Sequence, residues 1–326
     1  MTAGRDFEPF RHTVPLGAPF YVAGHRGLVG SAVWRHLERR GHTSLIGRTS
    51  AELDLRERDA VDAFFDDVRP EYVVLAAAKV GGIVANSTYP ADFLSDNLRI
   101  QVNVLDAAAR TGVRRLLFLG SSCIYPKYAD QPIREDSLLT GPLEETNDAY
   151  AIAKIAGVLH VQALRRQHGA SFISAMPTNL FGVNDNFDPE TSHVLPALVR
   201  KFAEAKASGA PSVELWGTGT PRREFLWVDD LARACVTLLE RYDDPAPINI
   251  GVGEDITIRE LARMIADVVG YEGDVTLDPR RPDGTPRKVL DVARINALGW
   301  KAEVSLREGI EMIYRWYLMS TDPASA

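Results

Sequence analysis

"YVAGHRGLVGSAVWRHLERRG", residues 21–41, decides the fold. A short apolar run ends at Gly24, and Gly24, Gly27 and Gly30 succeed one another in a G-x-x-G-x-x-G spacing. Leu28, Val29, Ala32, Val33 and Leu37 then fall on one helical face, and Gly41 acts as a stop. A strand that turns on glycines directly into a helix brings a diphosphate to backbone N–H groups. The first glycine allows the tight turn, the second lets the anion approach, and the third lets the helix pack close to the sheet. Three spaced glycines alone also make ordinary turns, so the reading depends on the chain beyond Gly41.

Beyond Gly41 the chain alternates regularly. "TSLIGR" (43–48) reads as a strand, "ERDAVDAFFDDV" (57–68) as a helix and "EYVVLAAA" (71–78) as a buried strand. "ADFLSDNLRIQVNVLDAAARTG" (91–112) reads as a long helix, "RRLLFLGSS" (114–122) as a strand and "AYAIAKIAGVLHVQALRRQHG" (149–169) as a helix. "SFISAMPTNLFG" (171–182) closes the set as a strand. Such alternation predicts an α/β fold, a Rossmann-type doubly wound parallel sheet with helices on both faces. After Gly182 the pattern becomes more irregular, with helices interleaved among short strands and Gly/Pro-rich turns. The expected organisation is a flexible extension over residues 1–16 and a dinucleotide-binding domain over 17–182. A smaller α/β substrate lobe over 183–326 would return some segments to the first domain.

Composition narrows the function class. The 326 residues carry 37 basic and 44 acidic side chains, a net charge of −7, which argues against a general nucleic-acid binder. No apolar stretch approaches the roughly 20 residues that span a bilayer, and the N-terminus lacks the apolar centre of a secretory signal. The two cysteines, Cys123 and Cys235, form neither a disulfide framework nor a zinc-ligand spacing, so no metal is expected. These features predict a cytoplasmic enzyme.

The second strand bears on which dinucleotide is held. An acidic residue at its end would grip a ribose 2′-hydroxyl. Here the strand ends in Arg48, Thr49 and Ser50, with Arg26 inside the glycine loop. Paired guanidiniums suit a 2′-phosphate, which favours NADPH over NADH. Arg48 as a solvated surface charge is the plainer reading.

"AYAIAK" places Tyr150 and Lys154 at i and i+4 on one helix face. A phenol titrates near ~10, and an ammonium one turn away would stabilise the phenolate and bring that value toward neutrality. "LGSS" ends a strand with Ser121, placed to hydrogen-bond a reacting carbonyl beside Tyr150. A lone Y-x-x-x-K is common by chance; with the glycines upstream and the serine between, it resembles the extended short-chain dehydrogenase/reductase family. Two residues after Ser121 stands Cys123. A free cysteine is commonly a small buried hydrophobe, yet this one sits at the C-terminal end of a sheet strand, where open α/β sheets bind ligands. A thiol beside a cation is a fair base for protons adjacent to a ketone.

At finer grain, "GHRGLVGSAV", "AAAKVGGIVAN", "YPADF", "LGSSCIYPK", "YAIAKIAG", "MPTNLFG" with "DNF", "SHVLPAL", "WGTGTPRREFLWVDDLA" and "PDGTPRK" resemble the GDP-L-fucose synthase family over about residues 19–318. The resemblance implies conversion of GDP-4-keto-6-deoxy-D-mannose to GDP-L-fucose by epimerisation at C3 and C5, then NADPH-dependent reduction at C4. It implies that Cys123 removes the C3 and C5 protons and that His193 returns protons on the other face. Tyr150, with Lys154 and Ser121, would protonate the C4 oxygen. It implies an NADP site of Gly24, Arg26, Gly27, Leu28, Val29, Gly30, Arg48, Asp54, Leu119, Ser122, Lys154, Pro177, Asn179, Leu180 and His193. It implies a GDP-sugar site of Lys201, Trp216, Arg223, Asp283 and Lys288, Lys201 standing where the family typically has arginine. A homodimer through the 91–110 helix is also implied. A 4,6-dehydratase would carry an acidic pair in place of Ser122–Cys123, a simple 4-epimerase would need no thiol base, and a non-catalytic dinucleotide sensor would lack Tyr150 or Lys154.

Overall fold

The computed structural model describes residues 10–321, except Glu190 and Pro282. The first half alternates as β1 (Phe20–Ala23), α1 (Leu28–Arg39), β2 (Leu45–Ile46), α2 (Arg58–Val68), β3 (Tyr72–Leu75), α3 (Ile83–Thr88), α4 (Pro90–Thr111) and β4 (Arg115–Leu119). A 3-10 turn at Ser122–Ile124 and another at Glu135–Ser137 lead to α5 (Asp148–His168), β5 (Phe172–Pro177) and β6 (Asn179–Phe181). The second half runs α6 (Val194–Ser208), β7 (Ser212–Trp216), β8 (Arg222–Arg223), β9 (Phe225–Trp227), α7 (Val228–Arg241), β10 (Ile248–Ile250) and β11 (Ile256–Thr257). It ends with α8 (Ile258–Val269), β12 (Asp274–Asp278), β13 (Arg287–Lys288), α9 (Ala293–Ala297) and α10 (Leu306–Thr321).

Helix boundaries are set by local chemistry. Pro90 opens α4, where a missing N–H costs nothing, and Gly112 closes it in the left-handed conformation. Thr257 and Glu260 form a reciprocal capping box at the start of α8. The strand expected over 43–48 shrinks to two residues, because only Leu45 and Ile46 pair with β1.

Six parallel strands form the central sheet in the order β10-β5-β4-β3-β1-β2. Both faces are covered, which is why runs such as FYVA and YVVL are apolar at every position. The alternation of side chains divides the core. Phe20 and Val22 pack with α1 and α7 residues such as Val33, Leu37 and Leu231. Tyr21 and Ala23 pack on the opposite face with Val61, Val104 and Val158 from α2, α4 and α5. A third cluster joins Leu195, Phe202, Leu215, Leu261 and Ile313 in the C-terminal lobe. Strand β10 belongs to the large sheet although it lies in the second half of the chain, pairing with β5. The chain reverses direction across the sheet between β1 and β3, and such a reversal opens a crevice at the carboxyl ends of the strands.

The expected flexible extension requires a correction. Residues 1–9 lie outside the described residues, but residues 10–16 are docked on the amino-terminal edge of the sheet. Val14 is buried, His12 Nε2 hydrogen-bonds the Tyr72 hydroxyl at 2.7 Å, and the Arg115 guanidinium lies 4.4 Å from the Phe10 ring centroid. A polar, aperiodic stretch offers no sign of this, because the partners Tyr72 and Arg115 are about sixty and one hundred positions away. Among the described residues no helix is long and apolar enough to cross a membrane.

Candidate active site

The glycine loop sits at the crevice between β1 and β3. Gly24 has φ +83, and a Cβ there would meet the Ala77 backbone at 2.9 Å; one on Gly30 would lie 2.1 Å from the Gly24 carbonyl oxygen. Those two glycines are demanded by the protein's own backbone. Gly27 is different: a Cβ would meet nothing nearer than 3.5 Å, and Gly27 caps α1 with no side-chain hydrogen bond. Its bareness and the uncapped first turn, which includes Leu28 and Val29, fit an anion such as a diphosphate. Arg26 and Arg48 are both exposed and both act on His25: behind burial, the Arg26 charge lowers its pKa, while Arg48 raises it through a backbone hydrogen bond and lowers it less strongly by charge, which places them around one spot. Arg48 donates to the Gly47 carbonyl at 2.9 Å. The cradle therefore fits a phosphorylated dinucleotide. Asp54 is occupied by Arg56, at 2.6 Å, whose hydrogen bonds hold the carboxyl below its usual range.

At the end of β4, Lys154 Nζ donates to the Leu119 carbonyl at 2.8 Å and lies 5.9 Å from the Tyr150 ring centroid. Lys154 is buried, and burial brings its ammonium down to about 8. The Tyr150 hydroxyl is raised above its ordinary value, chiefly by burial and further by Cys123, while a hydrogen bond with Ser121 acts the other way. This corrects one expectation: the ammonium does not draw the phenol down, because it is bound to a carbonyl rather than to the phenol. Tyr150 is left protonated, as a proton donor should be. Ser121 Oγ also accepts from the Cys123 amide at 3.2 Å, tying the serine to the turn that carries the thiol.

Cys123 is half-buried, and two nitrogens approach its sulfur at 3.6 Å: Lys288 Nζ and Asn147 Nδ2. Lys288 comes from β13, paired in register with Arg223 of β8. The Arg223 guanidinium is lowered by burial and supported by Cys123, Asp283 and Glu144. Two cations from the C-terminal lobe thus face a thiol at the end of a sheet strand. Asn147 and Glu144 escaped sequence reasoning; the only signal for Asn147 was its place three residues ahead of Tyr150.

Trp216, at the end of β7, is 48 % exposed, and its ring carries Lys201 Nζ at 5.4 Å and the Arg281 guanidinium at 4.8 Å from its centroid. Arg281 was not foreseen. Asp283 is committed locally: its carboxylate accepts from the Thr218 amide at 2.8 Å and the Thr218 hydroxyl at 2.9 Å, closing the loop after Trp216. Pro177 ends β5, while Asn179 and the half-buried Leu180 lie in β6, where Asn179 Nδ2 donates to the Glu224 carbonyl at 2.8 Å. Ser122 is buried beneath the turn.

His193 caps α6 at its amino end. The residue is exposed, and its ring has no hydrogen-bonding or charged partner among the described residues. The preceding loop rests on Gly82: the Gly82 amide donates to Thr191 at 3.1 Å, and a Cβ on Gly82 would come within 2.9 Å of the Ser192 carbonyl oxygen. The same loop is braced by Asp188 and Asn186, both bonded to Thr191. Among the described residues no cluster of three or more His, Cys, Asp or Glu could hold a metal.

Residues 20–251 match the NAD dependent epimerase/dehydratase family. The chain is 60 % identical to GDP-L-fucose synthase 1 of Arabidopsis thaliana, over 92 % of this chain and 93 % of the relative. It is 54 % identical to GDP-L-fucose synthase of Escherichia coli (strain K12), over 93 % and 97 %. Among solved structures, a GDP-L-fucose synthetase from Naegleria fowleri bound to NADP is 30 % identical, with a TM-score of 0.89 and the whole of both chains covered. The chain belongs to the NAD dependent epimerase/dehydratase family and, within it, to the GDP-L-fucose synthase family.

Proposed function

We propose that this chain converts GDP-4-keto-6-deoxy-D-mannose to GDP-L-fucose, inverting C3 and C5 and then reducing the C4 ketone with NADPH. The observation that carries the reading is the placement of Cys123 beside both Lys288 and Asn147, in the same turn as Ser121 and next to Tyr150. A carbon-acid base and a ketone-reducing acid thus share one site.

The C4 ketone acidifies the C–H bonds at C3 and C5. The Cys123 thiolate takes one of these protons, and the electron pair passes to the C4 oxygen as an enolate. Lys288 and Arg223 give the thiolate a counter-charge, and Asn147 offers an N–H to the sulfur. Inversion requires the new proton on the opposite face, so a second group is needed, and we assign that delivery to the imidazole of His193 at the amino end of α6. The thiol and the imidazole reset by exchange with solvent, and the cycle repeats at the other carbon. NADPH, when bound, supplies the hydride that adds to C4. Tyr150 then gives its hydroxyl proton to the C4 oxygen, with Ser121 orienting the phenol and Lys154 holding positive charge behind it. Reduction ends the sequence, since the product has no ketone to acidify its neighbours.

The same residues suggest how ligands are held. The glycine loop, Arg26 and Arg48 take the dinucleotide phosphates. Trp216, with Lys201 and Arg281, offers a stacking face and cations to the guanosine diphosphate, and Asp283 keeps the Gly217–Thr218 loop in shape. We assign residues 17–182 to the cofactor and 183–326 mainly to the sugar nucleotide. Exposed Val102, Ile152 and Leu159 on α4 and α5 support a homodimer through those helices. A thiol that must stay reduced to act suits the cytoplasm.

Incubating the protein with the keto sugar and NADPH in D₂O tests the assignment. Absorbance of NADPH should fall, and the product should have the L-fuco configuration with deuterium at C3 and C5. Cys123→Ser should bind NADPH normally and lose the exchange; unchanged exchange removes the thiol from the mechanism.

A further inference from the structure

The contact between Lys288 and Cys123 joins two distant parts of the chain, and it has to be held from somewhere. Strand β13, which carries Lys288, is two residues long. So short a strand does not hold its own orientation. Its backbone pairs with β8 on one side and on the other is gripped by one side chain. Gln131 Oε1 accepts from the Val289 amide at 3.0 Å, and Gln131 Nε2 donates to the Arg287 carbonyl at 3.2 Å and to Ala129 at 3.1 Å. One amide therefore binds the residue before and the residue after Lys288.

The pairing continues beyond it. The Ile133 amide donates to Val289 and the Asp291 amide to Ile133, both at 2.8 Å, with Ile133 and Leu290 in a parallel bridge. Successive side chains of an extended segment point to opposite sides, so a slip of one residue would turn Lys288 away from the thiol. The other end of this segment is the Cys123 turn itself, anchored through the Tyr125 hydroxyl, which donates to Asn249 Oδ1 at 2.6 Å. Both members of the thiol–ammonium pair thus hang from residues 123–133. At 3.6 Å the contact is long enough for a small rotation of the backbone to break it.

We propose that Gln131 is a positioning residue that sets the Lys288 ammonium against the Cys123 sulfur; its catalytic importance rests on the reading of Cys123 as the base. Among the described residues the Gln131 side chain hydrogen-bonds Arg287, Val289 and Ala129, neither the thiol nor the glycine loop, so it reaches Lys288 through the peptide units on either side. The groups around the sulfur are Lys288 from β13, Arg223 from β8, and Tyr150 and Asn147 at the start of α5, while Ser121 holds the cysteine's own amide.

Alkylation of the full chain by iodoacetamide reads the pair without any sugar substrate. Cys235 is completely buried, so Cys123 is the thiol that reacts in the folded protein. In Lys288→Met the alkylation profile, rate against pH, should drop on the order of tenfold at neutral pH, because the ammonium 3.6 Å from the sulfur is gone. Gln131→Met, which keeps the volume and removes both hydrogen bonds, should move the profile in the same direction. In the Lys288→Met background it should add nothing, since it acts through that lysine. Gln131→Ala serves as a second variant, and NADPH binding reports that each variant has folded. A wild-type profile in the folded Gln131 variants, a further shift in the Lys288→Met background, or no shift in Lys288→Met itself would each overturn the proposal. Because alkylation needs no turnover, failure of the sugar assay is a separate result.

Discussion

Replacing Lys154 with methionine should yield a chain that folds more tightly at neutral pH and no longer reduces the ketone. The ammonium is buried against Leu119 and Phe118, and its value falls from 10.5 to about 8. At ~1.36 kcal/mol per pH unit, holding that charge in the folded chain at pH 7 costs about 3 kcal/mol. Methionine removes the charge, fills similar volume, and leaves the Leu119 carbonyl without its donor, a loss of about 1–2 kcal/mol. The net gain is about 1–2 kcal/mol, or roughly 1.5–3 °C in Tm for a chain of this size. The pH dependence is the sharper part. Between about 8 and 10.5 the unfolded wild type keeps a proton that the folded protein has released, so wild-type stability rises with pH through that window. The advantage of Lys154→Met should therefore shrink from pH 8 upward, vanish between about 9 and 10, and give way to a deficit of about 1–2 kcal/mol by about 10.5, where only the lost hydrogen bond remains. Calorimetric melts of both proteins at half-unit intervals from pH 7 to 10 measure it, and the comparison cancels other titrating groups. A variant less stable than wild type at pH 7, or a difference that stays constant across the window, refutes the burial argument.

The same geometry yields three further outcomes. Tyr150→Phe should lower hydride transfer by about 10²–10⁴-fold while sparing C3/C5 deuterium exchange, read by comparing NADPH consumption with mass increase of the sugar. Arg48→Ala should raise the KM for NADPH by about 10–100-fold and leave that for NADH nearly unchanged, as expected for loss of a charge-assisted phosphate contact. Deleting residues 1–16 should cost about 2–4 kcal/mol, since it removes the buried Val14, the His12–Tyr72 hydrogen bond and the Phe10–Arg115 contact. The KM for the sugar nucleotide should not move, because residues 10–16 dock at the end of the sheet opposite the glycine loop.

The alternating α/β domain was legible in the amino-acid order alone, because apolar runs bounded by glycine and spaced helical faces are local signals. So were the glycine loop, Tyr150 and Lys154, and Ser121 with Cys123, since each group lies within a few residues of chain. The folded chain settled what those groups touch. It bound Lys154 to the Leu119 carbonyl and so left the phenol raised rather than lowered. It brought Lys288 across 165 positions to the thiol, gave Asp54 to Arg56 and Asp283 to Thr218, and added Asn147, Glu144 and Arg281 to the site. It also laid the residue 10–16 segment on Tyr72 and Arg115. The physical reason is one of range: periodicity and turn chemistry act over three or four residues, whereas the partner of a buried charge or thiol is chosen by the path of the folded chain.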